Sequence, residues 1–283
     1  MKLELSNPAF WTLVEPHHGS LMEDGSLRYV LLTHEYQMNP LLRTREELFT
    51  TTLLRAGTAL KLCVNGSYYD VSAAGLADVA WGNDPVDPAA TTLLGEVHVL
   101  GTRIAGTSQR QRFYLAQMKA AAANGIGWTY RVGFGDPPTG TIAAVGGLGP
   151  LLWNGLRYGT GNLYTAGTIG PATGEPPPAL RGKLIQRNNE NFRSADSRPP
   201  ATGKTIIASH SAKQKLLIAV QPHALAPGQT YSWIAGRLVD LGFDQGVFLD
   251  GSDSALLMLD GKLVVRPGED KDESNTLGVG FKK

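Results

Sequence analysis

The apolar residues of this chain come in short runs that stop at glycine, Asn-Gly or Asp-Gly. Runs closed by such turn formers fit strands rather than long helices. Glycine supplies 34 of 283 residues, about 12% against a usual ~7%. Residues 27–33 (LRYVLLT), 59–64 (ALKLCV), 95–104, 112–117, 142–145 and 246–249 read as strands. Two apolar runs, 204–208 and 215–220, flank a polar turn and suggest a hairpin. A second hairpin joins 255–259 to 262–265, because Asp260-Gly261 supplies the positive φ angles of a two-residue turn. Residues 277–281 can close the sheet. Helical signals are few. Thr44-Arg45-Glu46-Glu47 forms a capping box for a short helix ending near Ala56-Gly57. Trp233, Ile234, Leu238 and Leu241 keep helical spacing before a stop at Gly242. The expected fold is α+β: a single domain with a mixed, mostly antiparallel sheet, few helices and long irregular loops.

Residues 75–94 read as a surface excursion, and residues 155–203 form the least regular part. Loops that long in a compact domain are functional or disordered. The domain itself is expected over residues 28–283, with residues 1–27 as an N-terminal extension. A chain of 283 residues buries about three-quarters of its unfolded surface, so it needs no disulfide or structural metal. Cys63 is the single cysteine, which excludes an internal disulfide framework and a cysteine-based zinc site. A net charge of +1 without a basic block argues against a nucleic-acid partner. No run approaches the ~18 apolar residues of a membrane span. The first residues carry charges and a proline where a secretion signal would be apolar. A soluble, cytoplasmic protein is expected, or one exported by a non-classical or phage route.

Several familiar motifs fail on inspection. Gly203-Lys204-Thr205 lacks the earlier glycine of a phosphate loop, since position 198 is arginine, and it leads into a strand. Gly133-Phe134-Gly135 and Gly159-Thr160-Gly161 lack the third glycine of a dinucleotide fingerprint. There is no G-x-S-x-G elbow. His17-His18 lacks zinc-site spacing, and no complete ligand motif for a divalent metal such as Ca or Mg is present. No cofactor is expected. Asn65-Gly66-Ser67 is formally a glycosylation sequon but abuts a buried strand.

Two segments carry chemistry better. Val64-Asn65-Gly66-Ser67-Tyr68-Tyr69 and Leu249-Asp250-Gly251-Ser252-Asp253-Ser254 are each an apolar strand ending abruptly in polar residues and glycine. A strand end is a rigid mount, and glycine lets backbone and ligand approach closely. Asp250 and Asp253 lie three apart across a turn. Close carboxylates push one pKa up and leave the other ionised, which suits acid–base or nucleophilic work. Asp-Gly-Ser after a strand is also ordinary turn chemistry.

Four blocks in order give the chain a resemblance. Asn65-Gly66-Ser67-Tyr68-Tyr69 is similar to an Asn-Gly-Gly-aromatic-Phe motif after a strand. Gly147-Leu148-Gly149-Pro150-Leu151-Leu152, with Asn154-Gly155, is similar to a Gly-Gly-Pro-apolar-Leu stretch. Lys204-Thr205-Ile206-Ile207-Ala208 matches an Arg-Thr-Ala strand before a hairpin. Last come a helix, Leu249-Asp250-Gly251-Ser252-Asp253-Ser254 and the hairpin LLMLDGKLVV. Together, over roughly residues 28–281, they resemble the phosphodiester glycosidase family (uncovering-enzyme-like domains), as a divergent member. Departures from that pattern are Ser67, Ser252 and Asp253 in place of glycines and Lys204 in place of arginine. Lysine is a point charge where arginine is a planar fork.

The resemblance implies hydrolysis of the glycosidic C–O bond of a sugar-1-phosphodiester, releasing sugar and phosphomonoester from a glycan or cell-envelope substrate. It implies Asp250 as nucleophile or base, with Asp253 second, Lys204 as a catalytic cation and His210 as an assisting acid. Substrate contacts are expected from Asn65, Gly66, Thr205, Gly251, Ser252 and Ser254, and from Arg187, Arg193 and Arg198 in the irregular segment. Tyr68, Tyr69 and Tyr164 are candidates for a sugar platform or for core packing. The altered glycines leave open an alternative: a catalytically inactive module that binds sugar-phosphate or glycan in a phage or envelope assembly.

Overall fold

The computed structural model describes residues 1–43, 49–56, 59–67, 69–70, 92–93, 95–106, 113–120, 127–157, 201–225, 227–251, 254–267 and 277–283. Three α-helices occur among them: α1 (Phe10–Val14), α2 (Phe49–Ala56) and α3 (Tyr231–Asp240). Strands carry the rest of the regular structure. The first half of the chain gives β1 (Leu21–Asp24), β2 (Leu27–Thr33), β3 (Gln37–Leu42), β4 (Leu62–Asn65), β5 (Tyr69–Asp70), β6 (Thr92–Leu93), β7 (Val97–Val99), β8 (Thr102–Ala105), β9 (Phe113–Lys119) and β10 (Trp128–Phe134). The second half gives β11 (Thr141–Trp153), β12 (Leu156–Arg157), β13 (Lys204–His210), β14 (Lys215–Gln221), β15 (Gln245–Phe248), β16 (Leu257–Leu259), β17 (Lys262–Val265) and β18 (Leu277–Lys282).

The larger sheet runs β1-β2-β14-β13-β15-β11-β7-β8, with β9, β10 and β12 branching from β11 and its neighbours. The smaller runs β17-β16-β4-β18-β3. β5 pairs with β6 as a separate two-stranded sheet, all the pairings are antiparallel, and a lone parallel bridge links Lys2 to Glu23. The fold is α+β with few helices, as its short glycine-ended runs lead one to expect. β13 and β15 are buried along their whole length, which explains their near-continuous apolar reading. One large cluster packs between the sheets, joining Ile206, Ile218, Val247 and Phe248 of the larger to Val64, Leu257, Val279 and Phe281 of the smaller. Leu3, Leu5, Phe10 and Val14 are buried in the same cluster. The other face of the smaller sheet, with Cys63, Leu256 and Met258, is covered by Leu53 and Ala56 of α2.

Some local expectations change. Residues 95–104 are two strands, not one: Leu100 and Gly101 adopt φ of 50° and 82° and turn β7 into β8. The strand expected at 142–145 extends to Trp153 as β11. The strand expected from residue 59 begins at Leu62. The hairpins β13–β14 and β16–β17 form as read, the latter with Asp260 and Gly261 at φ 49° and 74°. Helix α3 starts where Thr230 Oγ1 accepts the Trp233 N–H at 3.1 Å. The capping box at 44–47 and most of the 75–94 excursion lie outside the described residues.

Candidate functional site

Antiparallel pairing places the start of β13 beside the end of β15, with Ile206 opposite Phe248. The chain then leaves β15 through Leu249, whose N–H donates to the Thr205 carbonyl at 2.9 Å. Asp250 follows, and its backbone is held from both sides. Its N–H donates to the Gly66 carbonyl at 3.1 Å, and its carbonyl accepts from Asn65 Nδ2 at 2.5 Å. Asp250 therefore sits where the larger sheet meets the end of β4 in the smaller one. Its Oδ1 accepts the Gly251 N–H at 2.9 Å, which orients the carboxyl.

Asn65 is the bracket of this junction. It is fully buried, and its Oδ1 accepts the Thr205 hydroxyl at 2.6 Å and the Leu256 N–H at 3.2 Å. One side chain thus ties β4, β13, the Asp250 turn and the approach to β16 together. Asn65 and Thr205 were expected to contact sugar hydroxyls or phosphate oxygens of a substrate. The structure aims their polar atoms at each other and at backbone, so their geometric effect is to position Asp250.

Glycine is needed at two points for close approach. A Cβ on Gly66 would lie 2.6 Å from the Leu277 carbonyl oxygen, and one on Gly251 would lie 2.8 Å from that of Gly203. Both contacts are to backbone, which cannot step aside. Ser254 is buried and its N–H donates to the Gly251 carbonyl at 3.2 Å, closing the turn.

Lys204 is 2% exposed. Its Nζ donates to the Thr202 carbonyl at 2.8 Å and lies 5.5 Å from the centre of the Tyr231 ring. Tyr231 opens α3 and packs on Phe248 in a tilted pair with ring centroids 4.5 Å apart, and its hydroxyl lies 3.5 Å from where a Gly251 Cβ would be. One aromatic side chain therefore lies beside both Lys204 and the Asp250-Gly251 turn. A buried ammonium keeps its charge more readily beside a carbonyl and an aromatic face.

His210 is not part of this arrangement. It ends β13 at the opposite edge, about 20 Å from Lys204 at ~3.3 Å per residue. There it packs edge-on against Trp11 and Phe243, and its Nδ1 accepts the Lys213 N–H at 3.2 Å. Burial holds its pKa below the usual histidine range, partly opposed by Asp244. The strand carries it away from the Asp250 turn. Asp253, Ser252, Arg187, Arg193, Arg198, Tyr68 and Tyr164 lie outside the described residues, as does the side chain of Tyr69.

Sequence reasoning missed two neighbours. Tyr231 read only as a helix residue. Arg43 follows β3 and is 2% exposed. Leu42 pairs with Leu277, the residue Gly66 packs against, so Arg43 stands at the same edge of the smaller sheet. A single arginine after a strand has no spacing signal, and only tertiary pairing brings it here. Among the described residues, no group of three or more His, Cys, Asp or Glu gathers to hold a metal. No described helix is long and apolar enough to cross a membrane.

No family model and no curated protein sequence matches this chain. Solved structures do. The catalytic domain of zebrafish N-acetylglucosamine-1-phosphodiester alpha-N-acetylglucosaminidase, auto-inhibited by its pro-peptide, superimposes with a TM-score of 0.56 at 15% identity, over 91% of this chain and 76% of that one. A hypothetical protein from Synechocystis superimposes with a TM-score of 0.50 at 11% identity, over 91% of this chain and 59% of that one. At these identities the likeness establishes a shared fold, one that the zebrafish domain uses for glycosidase catalysis.

Proposed function

We propose that this chain is a hydrolase of sugar-1-phosphodiesters, acting on a glycan or cell-envelope substrate. The observation that carries the reading is the clamped Asp250. Its peptide is fixed by Asn65 and Gly66 at the seam of two sheets, and Tyr231 links its turn to the buried Lys204. Fixing a carboxylate's backbone from both sides is what precise attack on one carbon requires. The fold likeness to a domain that acts on a sugar-1-phosphodiester supports the same bond type.

In this reading the Asp250 carboxylate acts at the anomeric carbon, as nucleophile or as base for water. The carbon–oxygen bond to phosphate breaks through an oxocarbenium-like state. The phosphomonoester leaves with the bonding electron pair and needs little proton donation. Water supplies the hydroxyl of the released sugar. Lys204 offsets the charge growing on the phosphate. Asp253 is the proposed second carboxylate, and Arg187, Arg193 and Arg198 are proposed phosphate contacts.

The test compares UDP-N-acetylglucosamine, whose sugar C1 oxygen is esterified to a diphosphate, with 4-nitrophenyl N-acetylglucosaminide, which lacks phosphate. Wild type should release N-acetylglucosamine from the first and leave the second nearly untouched. Asp250→Asn keeps the bond to the Gly251 N–H and should lower kcat by about 10³-fold with an unchanged melting temperature. Turnover unaffected by that substitution would remove Asp250 from the chemistry. Binding without turnover would make the chain a sugar-phosphate-binding module instead.

A further inference from the structure

Ser67 is 3% exposed, and its Oγ has no hydrogen-bond partner among the described residues. A hydroxyl buried and unpaired lowers stability, and native chains keep few of them. Such a group calls for a physical reason, and its position supplies one. Ser67 directly follows Gly66, whose carbonyl holds the Asp250 N–H. It is two residues from Asn65, which holds the Asp250 carbonyl. The orphan hydroxyl is thus built into the bracket that fixes the proposed catalytic carboxylate.

A buried cation stands at the same level of the sheet. Asn65 pairs with Gly278 and Leu42 pairs with Leu277, so Gly66 and Leu42 flank Leu277 from either side. Ser67 and Arg43 each lie one residue beyond those neighbours. Two strand spacings separate them, about 10 Å. Arg43 is as buried as Ser67, and it stands one residue past the same end of the smaller sheet.

We propose that the Ser67 hydroxyl is a specificity-determining ligand contact, donating its proton to a phosphoryl oxygen of the bound substrate. The identity of that substrate rests on the reading given above. A hydroxyl rotates to donate, and its bond to an anionic oxygen is shorter and stronger than one to a neutral group. Without ligand the hydroxyl destabilises the fold, and with ligand it is satisfied.

This makes two effects of Ser67→Ala opposite in sign. The unliganded variant should melt about 2–4 °C higher, because an unsatisfied buried group is gone. Its affinity for UDP-N-acetylglucosamine, measured by calorimetry, should fall about tenfold or more. Inorganic phosphate should show the same loss, while binding of N-acetylglucosamine alone is unaffected. A lower melting temperature would mean that the hydroxyl has an internal partner and would overturn the proposal. Unchanged affinity for the phosphodiester would overturn it too. A loss that follows N-acetylglucosamine alone would overturn the phosphoryl assignment. If wild type binds UDP-N-acetylglucosamine without turning it over and Ser67→Ala weakens that binding, the contact stands and the hydrolase reading falls. If wild type does not bind it, both fall.

Discussion

Single residues decide most of what is unusual here, and buried polar ones most of all. Asn65 shows how chemistry visible in sequence is redirected by packing. Asparagine-glycine after a strand reads as a polar rim open to ligand, yet the residue is wholly buried with both ends of its amide bonded to protein. Nothing local could announce this, because its partners Thr205, Asp250 and Leu256 are more than 100 residues away in sequence. His34 poses the same problem at the other edge. It is 4% exposed, with Nε2 3.0 Å from Ser209 Oγ and 3.2 Å from the Lys215 carbonyl. A carbonyl only accepts, so the proton sits on Nε2 of a neutral ring. Burial depresses its pKa from 6.5 to about 4, against the Lys215 carbonyl and Asp244, which favour the charged form. Between those values the unfolded chain binds the proton and the folded one does not, so stability falls as pH drops from 6.5 toward 4. The full effect is about 3 kcal/mol. Urea midpoints across that window should decline steeply for wild type. For His34→Gln they should start lower and decline less. Parallel curves for the two proteins would show that another group carries the pH dependence.

At the scale of elements, the sequence was legible wherever a turn had its own chemistry. Asp260-Gly261 set the β16–β17 hairpin, and Thr230 with the spacing of Ile234 and Leu238 set α3. It was illegible where glycine serves packing. Gly146-Gly147-Leu148-Gly149-Pro150 reads as a break, yet it lies inside β11, the strand that joins β9 and β7 to β15. The reason is a ring. A Cβ on Gly149 would fall 2.1 Å from Phe248 Cζ, so the strand lies flat against that aromatic and permits no side chain. Phe248 in turn packs at a tilt against Tyr231 and precedes the Leu249-Asp250 exit. Gly149→Ala should therefore cost about 1–3 kcal/mol by overpacking. Phe248→Leu, which vacates the ring plane, should recover part of that loss in the double variant. Simple additivity of the two losses in denaturant titrations would mean that Gly149 is required for another reason.

For the whole molecule, two sheets share one cluster, and the proposed site occupies the seam where both contribute backbone. That arrangement couples the site to parts of the chain far from it. Residues 1–27 were expected as an extension to the domain. Leu3, Leu5, Phe10 and Val14 nevertheless enter the common cluster. Tyr29 donates its hydroxyl proton to the Leu3 carbonyl at 2.6 Å, and the Leu5 N–H donates to Asp24 Oδ2 at 2.9 Å. Burying four such side chains contributes about 6–12 kcal/mol at ~1.5–3 kcal/mol each, an upper estimate because unfolded chains already bury some apolar surface. A whole domain is stable by only ~5–15 kcal/mol. A chain beginning at residue 15 should thus lose cooperative melting and near-ultraviolet dichroism at 25 °C. It should also lose any hydrolysis of UDP-N-acetylglucosamine, although Trp11 of α1 packs by His210, at the end of β13 opposite to Asp250. A shortened chain that melts cooperatively and keeps wild-type turnover would show that these residues are an appendage and that the core closes without them.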